Sequence, residues 1–305
     1  MAEILQTDGT WVFDGDTIRI VPGRERGVHV LRQTLGELAV PLAAVAGLAF
    51  EPARRGGRLR LRLRGGADPL SQVTRGRLPE SADPYQLTVD ADRTGVAEYF
   101  VDEVRNALLL EQVPAGPTDR YLLPGPAVPI SVGAGDGTAS FDGERIRLEW
   151  NWKTEEGKKS SGTRLLPVTQ VSGVEWQPAA GLENGYLRFT VPHAPTEAPP
   201  KHDPHAVELF GFKKDALMAL VAAAVVARLP HPGAAPVAEP APPGPLAALP
   251  AGRAPAAEAA HPAASAADDH DALLRRLREL GELHHSGVLT DEEFTAAKQA
   301  ILKRF

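Results

Sequence analysis

Eight residues, FDGDTIRI from Phe13 to Ile20, return as FDGERIRL from Phe141 to Leu148, 128 positions later. Three more blocks repeat in the same order. VPLAAVAGLAFEPA (Val40 to Ala53) aligns without gaps on LPVTQVSGVEWQPA (Leu166 to Ala179). GGRLRL ending at Leu61 aligns on NGYLRF ending at Phe189, and Asp83-Pro84 aligns on Asp203-Pro204. Four ordered matches mean an internal duplication, so the chain must build one kind of unit twice.

Each copy has the same grammar. Asp-Gly after a phenylalanine favours a tight turn, and the alternating Ile and Arg that follow read as a strand. Period-two alternation predicts further strands at 28–31, 38–41, 47–51, 59–64 and 85–90 in copy one, and at 145–152, 163–167, 173–177, 186–191 and 206–210 in copy two. Each copy closes with a helix, at 94–110 and 213–229, the first carrying an apolar stripe of Val96, Phe100, Val101, Val104 and Leu108. Strands followed by one terminal helix imply an α+β fold. The expected organisation is a first β-rich repeat at 1–112, a Pro/Gly-rich connector at 113–138, a second repeat at 139–230, a disordered Ala/Pro linker at 231–267 and a helical hairpin at 268–305.

Composition removes several function classes. There is no cysteine, which excludes disulfides, thiolate metal sites and cysteine nucleophiles. Net charge is −6, and each repeat balances its charges, so neither has the basic field expected of a nucleic-acid binder. The start of the chain lacks a secretion signal, and the longest uncharged apolar stretch, 216–227, is shorter than the roughly 20 residues of a bilayer span. A cytoplasmic protein, peripheral to a membrane at most, is expected.

The last segment predicts two helices. Leu273, Leu277 and Leu280 fall on one face of the first, which stops at Gly287; Thr290-Asp291-Glu292-Glu293 is a capping box, and Phe294, Ala297, Ile301 and Phe305 line the second. So small a hairpin cannot cover its own apolar side chains, so Leu273, Leu277, Leu280, Phe294 and Ile301 are expected to drive homo-oligomerisation. The run Gly287-Val288-Leu289-Thr290-Asp291-Glu292-Glu293-Phe294 resembles the short C-terminal (SHOCT) domain at every step. The duplicated part, beginning near Phe-Asp-Gly and followed by such a tail, resembles the actinobacterial domain of unknown function 4429. That resemblance implies tandem pleckstrin-homology-like units, each a bent antiparallel sheet capped by a C-terminal helix, and a role in assembly and binding.

Candidate sites are few. Arg58, Arg60, Arg62 and Arg64 alternate with leucines beside Arg54 and Arg55, a face suited to phosphate or another anion; the alternative is the solvated side of an amphipathic strand in an arginine-rich chain. His193, His202 and His205 with Asp203 share a proline-filled loop that does not preset metal geometry, and His284 and His285 diverge on a helix, so no metal or cofactor is expected. Gly133 to Gly137 reads as linker and Gly157-Lys158-Lys159-Ser160 as a hairpin tip, since neither opens a helix as a phosphate loop must. Trp150 and Trp152 are expected on one strand face, with Trp176 near, packing in a core or at a sheet edge rather than forming a stacking platform. No serine elbow, carboxylate pair or His-Asp-Ser order has supporting context. The sequence therefore predicts a non-enzymatic adaptor with unidentified protein partners, or alternatively an anionic-lipid binder using the Arg58 to Arg64 face.

Overall fold

The structure is a computed structural model that describes residues 1–192 and 198–234. The expected tail residues Leu273, Leu277, Leu280, Phe294 and Ile301, and the expected linker beyond 234, lie outside the described residues. Both copies fall within one compact unit, Met1–Glu239.

The fold is α+β, with four small antiparallel sheets. In copy one, β1 (Ala2–Gln6), β2 (Gly9–Phe13), β3 (Thr17–Pro22) and β4 (Leu38–Pro41) form a meander, with α1 (Val30–Leu35) between β3 and β4. A second sheet follows from β5 (Val45–Ala53), β6 (Gly56–Leu63) and β7 (Gln86–Val89), with α2 (Pro69–Thr74) inserted before β7, and α3 (Thr94–Leu110) closes the copy. Copy two repeats this order. Its first sheet holds β8 (Ile130–Ala134), β9 (Gly137–Phe141), β10 (Arg145–Trp150) and β11 (Arg164–Pro167), with α4 (Glu156–Lys159) between the last two. Its second holds β12 (Gly173–Gln177), β13 (Gly185–Thr190) and β14 (Ala206–Leu209), and α5 (Met218–Val226) closes it after a 3-10 turn at Asp215–Leu217.

The repeated residues do the same work twice. Asp14 accepts backbone N–H bonds from Asp16 and Thr17, and Asp142 accepts them from Glu144 and Arg145, closing the turn into β3 and β10. The following glycines sit at φ 118° and 113°, a region that favours glycine. The register repeats too, with Ala2 opposite Phe13 and Ile130 opposite Phe141.

Several expectations need correction. The stretch 28–31 is not a strand. His29 caps α1 through its Nδ1, Gly36 ends the helix at φ 75°, and Leu31 is buried; a four-residue apolar alternation does not separate strand from helix. The first two strands of each copy, β1 and β2 and then β8 and β9, were not anticipated, because each begins ahead of the repeated block. Accordingly the connector is shorter than 113–138, and Gly133 to Gly137 is the β8–β9 hairpin rather than a linker. It is also pinned: Thr118 donates to the Gly65 carbonyl, and Leu122 and Leu123 donate to that of Ala67. The segment 157–160 is not a hairpin tip, for it lies largely in α4 and buries Lys158. Trp152 lies beyond the end of β10 and is exposed, so it does not share a packed face with Trp150, whereas Trp176 is buried as expected. The first residues of the expected linker are also placed: His231 meets the ring of Tyr121 edge-on and hydrogen-bonds to the Gly66 carbonyl at 2.9 Å.

The copies are joined by a shared core. Leu31, Leu70, Val73 and Ala82 of copy one are continuous with Trp176, Leu187, Met218 and the rest of α5 in copy two. Copy one keeps a core of its own around Trp11, Leu59, Phe100 and Val104.

Candidate binding groove and the arginine face

Alternation along β6 does place Arg58, Arg60 and Arg62 on one face, opposite buried Leu59 and Leu61. Their charges are not all free. Glu80 Oε1 receives Arg58 at 2.7 Å and Arg60 at 3.0 Å, and Glu51 receives Arg60 at 2.9 Å. The Arg58 hydrogen bond, followed by its charge, holds the Glu80 carboxyl below the ordinary range. Arg64 lies just beyond β6 and donates to the carbonyls of Ala43, Gly116 and Pro117, so it clasps the connector rather than facing a ligand. Arg54 and Arg55 occupy the exposed β5–β6 turn. The six arginines therefore do not converge on one site, and Arg62 is the member of the β6 face that has no ion pair among the described residues.

Arg62 opens, beside the paired Arg60 and Glu51, onto a groove of about 760 Å³ along β5, lined also by Gly47, Leu48, Leu61 and Tyr85 and by Arg105, Leu108 and Leu109 of α3. β5 is an edge strand, bonded to β6 on one side alone. The helix that borders the groove is half covered: α3 buries Ala97, Phe100, Val101 and Val104, while Leu109 and Leu110 are 76% and 81% exposed. Asp83 at the groove accepts from the Tyr85 backbone and from Gln86, which fixes the turn into β7. Tyr85 is buried and donates its hydroxyl to Asp68; burial, then the Asp68 charge, pushes its pKa well above the ordinary tyrosine value.

The corresponding surface of copy two is filled from within. There α2 packs against both β12 and α5, the counterparts of β5 and α3. Arg77, three residues beyond α2, reaches Gln177, which aligns with Glu51, at 3.3 Å. The consequence is legible in α5: every residue from Met218 to Val226 is buried, because a helix apolar on all sides must be covered on all sides. α2 itself is set by Asp68, whose carboxylate accepts from the Leu70 and Ser71 N–H groups, followed by Pro69 at the first helical position. The Asp-Pro pair was the available signal for this helix, and the Leu108-Leu109-Leu110 run, wider than one stripe, was the signal for the groove.

Of the expected histidine cluster, His202, Asp203 and His205 are among the described residues. Asp203 is engaged by Arg188 at 2.9 Å, with His205 4.0 Å away, and His193 lies outside the described residues. Among the described residues no group of three or more His, Asp or Glu side chains could hold an ion, and none of their helices is long and apolar enough to cross a membrane.

The family profile described as Domain of unknown function (DUF4429) matches residues 11–105 and again 139–226, together more than half of the chain. The chain belongs to the DUF4429 family. Its two family segments are the two structural copies, and the profile described as Short C-terminal domain matches residues 275–302. No curated protein matches the sequence at a significant level. The groove therefore lies on the first DUF4429 segment, and the surface packed by α2 on the second.

Proposed function

We propose that this protein is a non-enzymatic adaptor that captures a short apolar, acid-bearing segment of a partner protein in the β5–α3 groove of its first copy. The observation that carries the reading is the asymmetry between equivalent grooves: one holds α2 of the same chain, and the other has no described element over it. The cis arrangement indicates the kind of guest, a short helix presenting two apolar side chains as α2 presents Leu70 and Val73. Arg62 and Arg105 add a preference for acidic flanks.

Two further parts of the reading rest on the family matches and the topology. Four strands, then three, then a closing helix is the plan of a pleckstrin-homology-like unit, which each copy is proposed to be. The SHOCT tail is proposed to self-associate through Leu273, Leu277, Leu280, Phe294 and Ile301, multiplying a weak groove contact by avidity. Glu80 and Glu51 neutralise Arg58 and Arg60, so a lipid site on that arginine face is not favoured.

Selection of displayed peptides against the full chain tests the groove. Acidic, apolar peptides should emerge that bind the native protein and lose at least about tenfold in affinity to Leu109→Asp, the scale of one buried leucine. Peptides that bind both proteins equally would place the docking surface elsewhere. In light scattering, Leu277→Asp should lower the mass of the full chain; an unchanged mass would remove the tail from the reading.

A further inference from the structure

The residues inserted between β10 and β11, 151–163, are the counterpart of 23–37 between β3 and β4 and are anchored at unusual depth. Lys158 and Asp136 form an ion pair at 2.6 Å with both side chains essentially sealed from solvent. Lys158 also donates to the Pro200 carbonyl and lies 4.5 Å from the centroid of the Trp150 ring. The Asp136 carbonyl accepts from the Asn151 N–H and from the Thr154 hydroxyl. These two bonds fix the residues on either side of Trp152 and Lys153, which are thereby turned outward. Trp152 is 83% exposed even so.

Two neighbouring loops do the same. Asp215, buried, accepts from the Gly211 and Phe212 N–H groups and locks a turn that leaves Phe212 61% exposed. The β12–β13 turn carries Leu182, fully exposed, and its Ala179 would meet a side chain placed on Gly211 at 3.5 Å. Lys153 ties the first two loops together, with its ammonium 5.5 Å from the Trp152 ring, 5.6 Å from Phe210 and 5.3 Å from Phe212. Lys213 and Lys214 follow directly and are exposed, and Glu155, Glu156 and Glu183 border the same loops.

We infer that these three loop tips form a seat for the surface of a phospholipid bilayer, in which Trp152, Phe212 and Leu182 enter the boundary between headgroups and acyl chains while Lys153, Lys213 and Lys214 face the phosphates. Rigid support distinguishes these side chains from slack loop residues, since holding large apolar groups in water costs free energy unless something receives them. Area decides what receives them. Three protruding side chains offer on the order of 400 Å², about half of what one partner contributes to a stable protein interface, so a second copy or a protein partner would be weakly held. A bilayer needs no complementary pocket, and tryptophan with flanking lysine suits its interface. The nearby glutamates leave little net charge, so the rings carry the affinity and the lysines modulate it. This surface is separate from the β5–α3 groove and independent of that reading.

Co-sedimentation of the full chain with phosphatidylcholine vesicles, with and without about one third phosphatidylserine, tests it. The native protein should sediment with both, more with the anionic vesicles, and its tryptophan emission should shift to the blue. Trp152→Ala with Phe212→Ala should lower the partition coefficient by about tenfold or more. Lys213→Glu with Lys214→Glu should remove most of the anionic preference. An Arg54→Glu, Arg55→Glu variant should bind as the native protein does, and all variants should keep the native thermal transition. Native protein that stays in the supernatant with both vesicles overturns the proposal. So does a Trp152→Ala, Phe212→Ala protein that sediments like the native one, or loss of binding in the arginine variant.

Discussion

Replacing Lys158 by methionine removes the cation from a sealed pair and keeps the length of the chain. Asp136 then retains the Glu208 N–H on Oδ1 at 2.8 Å and loses its partner on Oδ2. Breaking a buried pair on one side costs about 3–5 kcal/mol, and proton uptake by the stranded carboxyl sets a ceiling on that cost. From the ordinary aspartate value of 3.8, protonation at pH 7 costs about 4 kcal/mol, and at pH 5 about 1.5 kcal/mol. Burial already pushes the Asp136 carboxyl up, against the Lys158 hydrogen bond, and it pushes the Lys158 ammonium down. In the variant the folded state holds more protons than the unfolded state between 3.8 and the raised value. Its stability therefore falls as pH rises through that window. Urea unfolding followed by tryptophan emission should show a deficit of about 3–4 kcal/mol at pH 7 that narrows to below about 2 kcal/mol at pH 5. Adding Asp136→Asn to Lys158→Met should recover more than half, because the amide oxygen still accepts from Glu208. A deficit below about 1 kcal/mol at pH 7, or one that does not narrow in acid, would mean that the pair is hydrated and does not anchor the insert.

The second copy produced without the first should aggregate, since α5 then loses its α2 cover; a soluble monomer with a cooperative melt would contradict the role given to that seam. Asp68→Ala removes a helix cap and strands the buried Tyr85 hydroxyl, for a loss of about 2–4 kcal/mol in denaturant unfolding, with Asp68→Asn milder. Backbone hydrogen bonds hold the Asp14 and Asp142 carboxyls below their ordinary value, so their contribution is present above pH 3.8 and is lost as pH falls through the lowered folded values. Acid titration of an Asp14→Asn, Asp142→Asn protein should accordingly show a shallower fall in stability below pH 4.

Sequence alone carried the duplication, the strands that follow each Asp-Gly turn and the bounds of α3, because each rests on a short-range pattern: an Asp-Gly turn, period-two alternation, a helical stripe. It also carried the exposure of Arg58, Arg60 and Arg62. Whether those arginines are free depends on Glu80, which lies across an insertion from β6 and has no fixed sequence spacing to it. The buried Lys158 was invisible for the same reason, since its partner Asp136 stands on the far side of β9 and β10. A lysine beside Gly157, Lys159 and Ser160 looks like solvated loop until the chain closes over it. The all-apolar α5 did announce that it would be buried, and the Ala216 to Ala227 run left open only what covers it.

What covers it explains how one duplicated plan yields two different surfaces. The shared blocks fix the sheets and the closing helix in both copies, so divergence is confined to connections. In copy one the β6–β7 connection grew a helix that turns toward its sibling and fills the sibling's groove, which lets α5 shed every polar residue. In copy two the β10–β11 connection, the counterpart of the one that carries α1 in copy one, is held by a buried ion pair that its sibling does not share. The added α2 makes the second copy dependent on the first, while the altered β10–β11 connection gives the second copy a surface of its own. The first copy, covered by neither, keeps the open groove, with Leu109 and Arg62 standing where a cis helix sits in its twin.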